Sequence, residues 1–258
     1  MRLRSGLACR VLFGIVWAAA ALCISSGAEA GPGCPGKPSK AAPVDTQPAM
    51  LTDNYWLARV RQQEQDLTQQ DASKIRLLLL GDSLIEGWAP PVQQLFYGHR
   101  AVLNLGVSGD NTQGLLWRVD RLRLTNLKPR LVVLLIGTNN VWPTKAPEDV
   151  AAGVAEVVRQ IHDWTPQSRI LLIGLLPRGL EITDPARIIA KQVNTIIAHC
   201  ADGVSVFYSD PGAMLVDANG RLSEKIVPDH LHPNWIGYGI ISAVLEPQIR
   251  QLLGENVN

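Results

Sequence analysis

Five short apolar runs punctuate the chain: IRLLLL at 75–80, AVLNL at 101–105, RLVVLLIG at 130–137, RILLIGLL at 169–176 and VSVFYS at 204–209. Polar and apolar positions barely alternate within them, the pattern of strands covered on both faces. Apolar positions recur at helical spacing over about 54–70, 91–97, 112–125, 147–164, 184–201 and 234–253. In the first of these segments Trp56, Leu57, Val60 and Leu67 fall roughly on one side. Strand and helix in alternation predict an α/β domain of three layers, with helices on both faces of a five-stranded parallel sheet. Such a sheet presents its reactive groups at the carboxyl ends of the strands, in the loops that lead into the next helix. No internal repeat is visible, and nothing after Asn54 marks a second domain.

The chain ahead of this pattern reads differently. Arg2, Arg4 and Arg10 precede the apolar stretch VLFGIVWAAAALCI, which ends near Ala28-Glu29-Ala30. This is the form of a secretory signal peptide with a small-x-small cleavage site. The apolar run is about fourteen residues, short of the roughly twenty that span a bilayer. Residues 1–30 are therefore expected to be removed on export, to the periplasm or the medium, leaving no transmembrane span in the mature chain. Residues 31–50 hold five prolines and three glycines and read as a linker, because such a composition buries too little apolar surface to offset the cost of ordering. Residues 51–258 are expected to form the folded domain.

Charge and cysteine content narrow the picture. The whole chain of 258 residues has a formal charge of +1, and loss of three arginines and Glu29 leaves the mature part near −1. No basic patch for nucleic acid is visible, so no nucleic-acid partner is expected. Of the four cysteines, Cys9 and Cys23 leave with the leader. Cys34 and Cys200 can pair in an oxidising compartment, but two distant cysteines do not make a disulfide scaffold, and no essential bridge is expected.

The candidate chemistry begins at GDSLIEGW, residues 81–88. Ser83 follows the first strand closely enough for a strand-to-helix turn to present its hydroxyl and its backbone N–H to the same space. A helix N-cap is the plain alternative for such a serine, and the sequence lacks the second glycine of a G-x-S-x-G elbow. A serine hydroxyl needs a base, and the base needs an orienting carboxylate. PDHLHPN at 228–234 supplies Asp229 and His232, three apart between two prolines, with Pro233 placed to open the last helix. Asp229, His230 and His232 are also legitimate metal ligands, but no further His or Cys grouping completes such a cluster. Two other strand ends offer hydrogen-bond donors for an oxyanion: NLGVSGDNT, with Gly106 and Gly109, and IGTNN, with Asn139. Trp88, Trp117 and Trp142 lie near these loops and fit a pocket or the core equally well. His99, His162 and His199 fall in linking or helical segments and suit packing roles.

Taken together and in order, GDS, G-x-x-G-D, G-T-N-N and D-x-x-H resemble the GDSL or SGNH hydrolase family, over about Asn54 to Leu253. The stretches LLLLGDSLIEGW, NLGVSGDNTQGLLWR, VVLLIGTNN and LLIGLLPRG are most similar to its platelet-activating-factor acetylhydrolase catalytic-subunit branch. The resemblance implies a flavodoxin-like SGNH hydrolase fold, Ser83 as nucleophile, and an oxyanion hole of Ser83 N–H, Gly109 N–H and the Asn139 side chain. It further implies Asp229 and His232 as the remaining pair, short acyl groups released from an oxygen ester, and no metal or organic cofactor. The expected partner is a small-molecule or glycan ester; oligomeric state and the alcohol half of the substrate stay open. Longer-chain lysophospholipase or thioesterase activity, or a binding module that has lost turnover, are the competing readings. A base that must be neutral, with free histidine titrating near pH 6.5, predicts activity that falls in acid.

Overall fold

The computed structural model describes residues 33–36, 43–69, 71–122 and 127–255; the expected leader lies outside them. Helix α1 (Asn54–Gln69) leads to β1 (Leu77–Gly81), the one-turn helix α2 (Ser83–Glu86) and α3 (Pro90–Tyr97). Then come β2 (Val102–Gly106), α4 (Thr112–Arg121), β3 (Leu131–Leu135), α5 (Pro147–Trp164), β4 (Arg169–Ile173), α6 (Pro185–Ile197), β5 (Val206–Ser209) and α7 (Trp235–Leu253). The strands form one parallel sheet in the order β2-β1-β3-β4-β5, the order of flavodoxin-like doubly wound sheets. Helices α4, α5 and α6 pack side by side, while α3 packs on α7. The sheet is thus flanked by helices as the alternation predicts.

All residues of β1 and β3 are buried. Leu77 to Leu80 are each 0% exposed, and full burial of one such side chain stabilises by roughly 1.5–3 kcal/mol. Strands β3 and β4 end sooner than their apolar runs. Gly81 pairs with Leu135 and Ser209 with Ile173, and each is the last residue of its strand. Ile136, Leu175 and Leu176 remain buried beyond those ends, so hydrophobicity marks the core more faithfully than it marks pairing. The start of α7 also differs from expectation. Pro233, expected as its first residue, lies ahead of it: Trp235 is first, and Asn234 caps it, with Oδ1 accepting from the N–H groups of Ile236 and Gly237; asparagine is among the strongest N-caps. No helix among the described residues is long and apolar enough to cross a membrane.

The segment read as a linker is corrected in its described parts. Residues Val44–Thr46 form a 3₁₀ turn in which Asp45 and Thr46 are buried, and Pro35 O accepts from Arg159 Nη1 at 2.6 Å. Cys34 and Cys200 are joined by a disulfide across 166 positions of sequence. Composition underestimated this segment because it is held by polar side chains and a covalent bond, not by apolar burial. Replacing Cys34 with Ser should destabilise the fold by about 2–4 kcal/mol, the usual worth of a native disulfide. Melting midpoints of wild type and variant, each measured with and without reductant, check this; a midpoint insensitive to both changes would show that the bridge carries no stability.

Candidate active site

Strands β1, β2 and β3 end level with one another, since Gly81 stands beside both Gly106 and Leu135. The three loops that follow therefore leave the sheet together. In the first, Asp82 caps α2 by accepting from Leu84 N–H at 2.9 Å. Ser83 is thereby relieved of the capping role that the sequence alone allowed it. Its hydroxyl Oγ lies 3.0 Å from His232 Nε2, across 149 residues of chain. His232 Nδ1 lies 2.6 Å from Asp229 Oδ2, so the tautomer that suits both contacts carries its proton on Nδ1 and accepts the Ser83 proton at Nε2.

The Asp229 carboxylate is oriented by its own turn. Oδ1 accepts from the backbone N–H of His232 at 2.7 Å and of Leu231 at 3.0 Å. Partial burial acts to raise its pKa, but the bonds from the His232 backbone and ring and from Leu231 outweigh it, and the net shift is downward. A depressed carboxyl keeps its charge, and so its place as acceptor, further into acid than an unpaired one. His230 turns away from Ser83 and meets Glu224 Oε1 at 3.1 Å. The base loop is tied back to the loop after β4 by Gly179 N–H donating to His230 O at 2.9 Å. Arg187 supports that loop by donating to the carbonyls of Arg178 and Gly179.

Gly109 and Asn139 follow β2 and β3. Gly109 adopts φ +77°, a conformation glycine enters without strain. Asn139 Nδ2 donates one hydrogen to Asp110 O at 2.7 Å, which uses half of its donor capacity. Beneath these donors lies a buried network that sequence reasoning missed. Asp110 Oδ2 accepts from Arg118 Nε at 2.6 Å, Asp110 Oδ1 accepts from Trp56 Nε1 at 3.0 Å, and Arg118 Nη2 donates to Gly81 O at 2.7 Å. Gln63 Nε2 donates to Gly106 O at 2.9 Å. The available signal was Arg118, a cation on the apolar side of α4 among Leu115, Leu116 and Val119. From the other side, Glu86 Oε2 accepts from both the N–H and the hydroxyl of Ser108 at 2.6 Å.

The tryptophans near the loops separate into different roles. Trp88 is buried and donates to Ser242 Oγ at 3.1 Å, and Trp117 packs on Trp56. Trp142 is 63% exposed.

Residues 79–240 match the model of the GDSL-like lipase/acylhydrolase family. The chain is 32% identical over 189 residues to the human platelet-activating factor acetylhydrolase IB subunit alpha1, covering 70% of this chain and 78% of that protein. The chain belongs to the GDSL-like lipase/acylhydrolase family. It is a carboxylic ester hydrolase. The bovine alpha2 subunit is also 32% identical, over 210 residues, with 79% of this chain and 87% of that protein covered. Solved structures share the fold: a GDSL-like lipase from Bacteroides thetaiotaomicron has a TM-score of 0.63 at 23% identity, with 77% of this chain and 98% of that chain covered. An acetylxylan esterase from Geobacillus stearothermophilus has a TM-score of 0.54 at 21% identity, covering 71% and 96%.

In this GDSL hydrolase the aspartate of the motif has an electrostatic cost. Burial pushes the Asp82 carboxyl up to about 7; the Leu84 N–H opposes the shift and the nearby Asp110 adds to it. Its Oδ2 is buried without a hydrogen-bond partner among the described residues. A carboxyl raised on folding stabilises the fold while protonated, below its unfolded range, and that contribution disappears as pH rises through about 7. Asp82→Asn keeps an oxygen for Leu84 N–H and stays neutral. It should therefore raise the melting midpoint at pH 8, by on the order of 2–4 °C, and change it little near pH 4. Thermal melts at the two pH values test this, and an equal shift at both would contradict it.

Proposed function

We propose that the protein is a serine esterase that removes short acyl groups, acetyl first, from an acetylated carbohydrate or lipid through an acyl-enzyme intermediate. The observation that carries this reading is the continuous run Ser83 Oγ, His232 Nε2, His232 Nδ1 and Asp229 Oδ2, with contacts of 3.0 and 2.6 Å. As Ser83 Oγ attacks the acyl carbonyl, His232 Nε2 takes its proton. The negative oxygen is received by Ser83 N–H, Gly109 N–H and the second hydrogen of Asn139 Nδ2. The imidazolium, held by Asp229, then protonates the departing alkoxide. Water enters, gives a proton to the same nitrogen and attacks the acyl-enzyme; the acid leaves as Ser83 recovers its proton.

The acetyl preference is supported by relatives described as acetylhydrolases and by the acetylxylan esterase that shares the fold. A second reading, a longer alkyl chain, is favoured by one feature. An apolar groove of about 570 Å³ between α3 and α7, lined by Leu95, Phe96, Trp235 and Ile240 among others, begins three residues after His232. Hydrolysis of nitrophenyl acetate, octanoate and palmitate separates the two, with acetate fastest under the first reading. Ser83→Ala and His232→Ala should each lower kcat by about 10⁴–10⁶-fold, and Ser83→Ala should abolish labelling by a fluorophosphonate. Labelling that persists in Ser83→Ala would remove the nucleophile assignment.

Export belongs to the same proposal. The basic and apolar pattern of residues 1–30 supports it, as does the Cys34–Cys200 bridge, because disulfides persist in oxidising compartments. Intact-mass measurement of the product from cell fractions should find a chain that begins at Gly31 outside the cytoplasm. A full-length chain confined to the cytoplasm would refute export.

A further inference from the structure

Asp45 is 2% exposed although it sits on a surface strap ahead of α1 and outside the matched family region. Its carboxylate makes several contacts, none of them to its own helix or strand. Oδ1 accepts from Asn140 Nδ2 at 2.7 Å and from Gln113 Nε2 at 3.3 Å, and Oδ2 forms an ion pair with Lys145 Nζ. Its carbonyl accepts from Thr112 Oγ1 at 2.8 Å, and a few residues on Ala49 N–H donates to Gln113 O at 3.1 Å. The strap also depends on a vacancy in α5. A Cβ on Gly153 would stand 2.7 Å from both Asp45 O and Thr112 Oγ1, closer than carbon and oxygen tolerate.

The partners of Asp45 are the two loops that carry the oxyanion donors. Thr112 opens α4 just after Gly109 and Asp110, and Asn140 directly follows Asn139. Asn140 Oδ1 accepts from Thr112 N–H at 3.0 Å, so these loops are stitched together twice: once by Asn139 to Asp110 O, once by Asn140 to Thr112. An asparagine amide can bind either way round. The Asp45 carboxylate, the shortest and only charged acceptor on Nδ2, acts with Gln113 Oε1 at 2.8 Å and Thr112 Oγ1 at 3.0 Å to hold the orientation that leaves Oδ1 facing Thr112 N–H. Lys145 balances the charge that Asp45 brings into this buried position.

We propose that Asp45 is a positioning residue of the ester hydrolase, fixing the second stitch and thereby the spacing between Gly109 N–H and Asn139 Nδ2. The inference rests on the oxyanion site proposed above. A misplacement of about 1 Å at such a site costs on the order of 10²-fold in rate. Asp45→Ala should accordingly lower kcat about 10–100-fold with KM within about twofold, and weaken binding of an aryl trifluoromethyl ketone in parallel with kcat. Asp45→Asn, which retains an acceptor for Asn140, should recover much of the loss.

Cys34→Ser serves as the stability control: it loosens the same segment, and it should lower the melting midpoint while kcat at 25 °C stays near wild type. A folded Asp45→Ala with kcat within twofold of wild type would overturn the proposal, as would an equal kcat loss in Cys34→Ser. Amide hydrogen exchange at residues 109–112 reads the placement without substrate. Faster exchange in Asp45→Ala supports the stitch and unchanged exchange refutes it, whether or not Ser83 turns over. Absence of any Ser83-dependent hydrolysis in the wild type would instead defeat the catalytic reading.

Discussion

The site rests on a charge pair that water does not reach. Asp110 and Arg118 are both 0% exposed, and between them they hold the end of β1 through Gly81 O, the loop after β2 through Asp110 itself, and α1 through Trp56. Asn139 then hangs from the Asp110 carbonyl. A buried ion pair adds little net stability over a well-packed apolar substitute. Removing one partner alone, however, strands a charge at a cost of about 3–5 kcal/mol. Here the return on that arrangement is geometric: one guanidinium, planar and multiply donating, sets the relative position of two strand ends.

The proposed donors and the proposed nucleophile are supported in different ways. Ser83 sits on a one-turn helix capped by Asp82 and gripped from α7, where Tyr238 donates to Leu84 O at 2.9 Å. The loops proposed to hold the oxyanion lead into α4 at Thr112 and into a 3₁₀ turn at Thr138–Asn140. They are secured by side chains from all around them: Glu86 on one side, Arg118 beneath, and Asn140 with Asp45 on the other. The carboxylate that pairs with His232 is more open than the imidazole, with a side chain 56% exposed against 42%, and depends on its own tight turn for orientation.

The family region and the rest of the chain also divide the work. The matched residues contain the proposed nucleophile, base and donors, while Trp56, Gln63 and Asp45 lie ahead of them. A core able to fold the sheet does not by itself set loop spacing to within a hydrogen-bond length. The N-terminal strap and α1 pack where that spacing is decided, and the disulfide from Cys34 to the end of the α6 segment covalently anchors the strap's upstream side.

Apolar runs without alternation were enough to determine a buried parallel sheet, because a strand covered on both faces has no polar side to show. The four motifs were enough to nominate Ser83, Gly109, Asn139, Asp229 and His232, because each follows a strand end or precedes the last helix, where this architecture puts its chemistry. The sequence was misleading where stability comes from something other than apolar area. Asp45 and Cys34 looked like parts of a linker, and Pro233 looked like the first residue of a helix that Asn234 caps. What only the tertiary structure decided is which polar groups meet: Asp45 with Asn140 across 95 residues, Arg118 with Gly81 O across 37 and Ser83 with His232 across 149. Hydrophobic periodicity is a property of neighbours along the chain, whereas a hydrogen bond between distant residues exists only once the packed elements have fixed both of its ends.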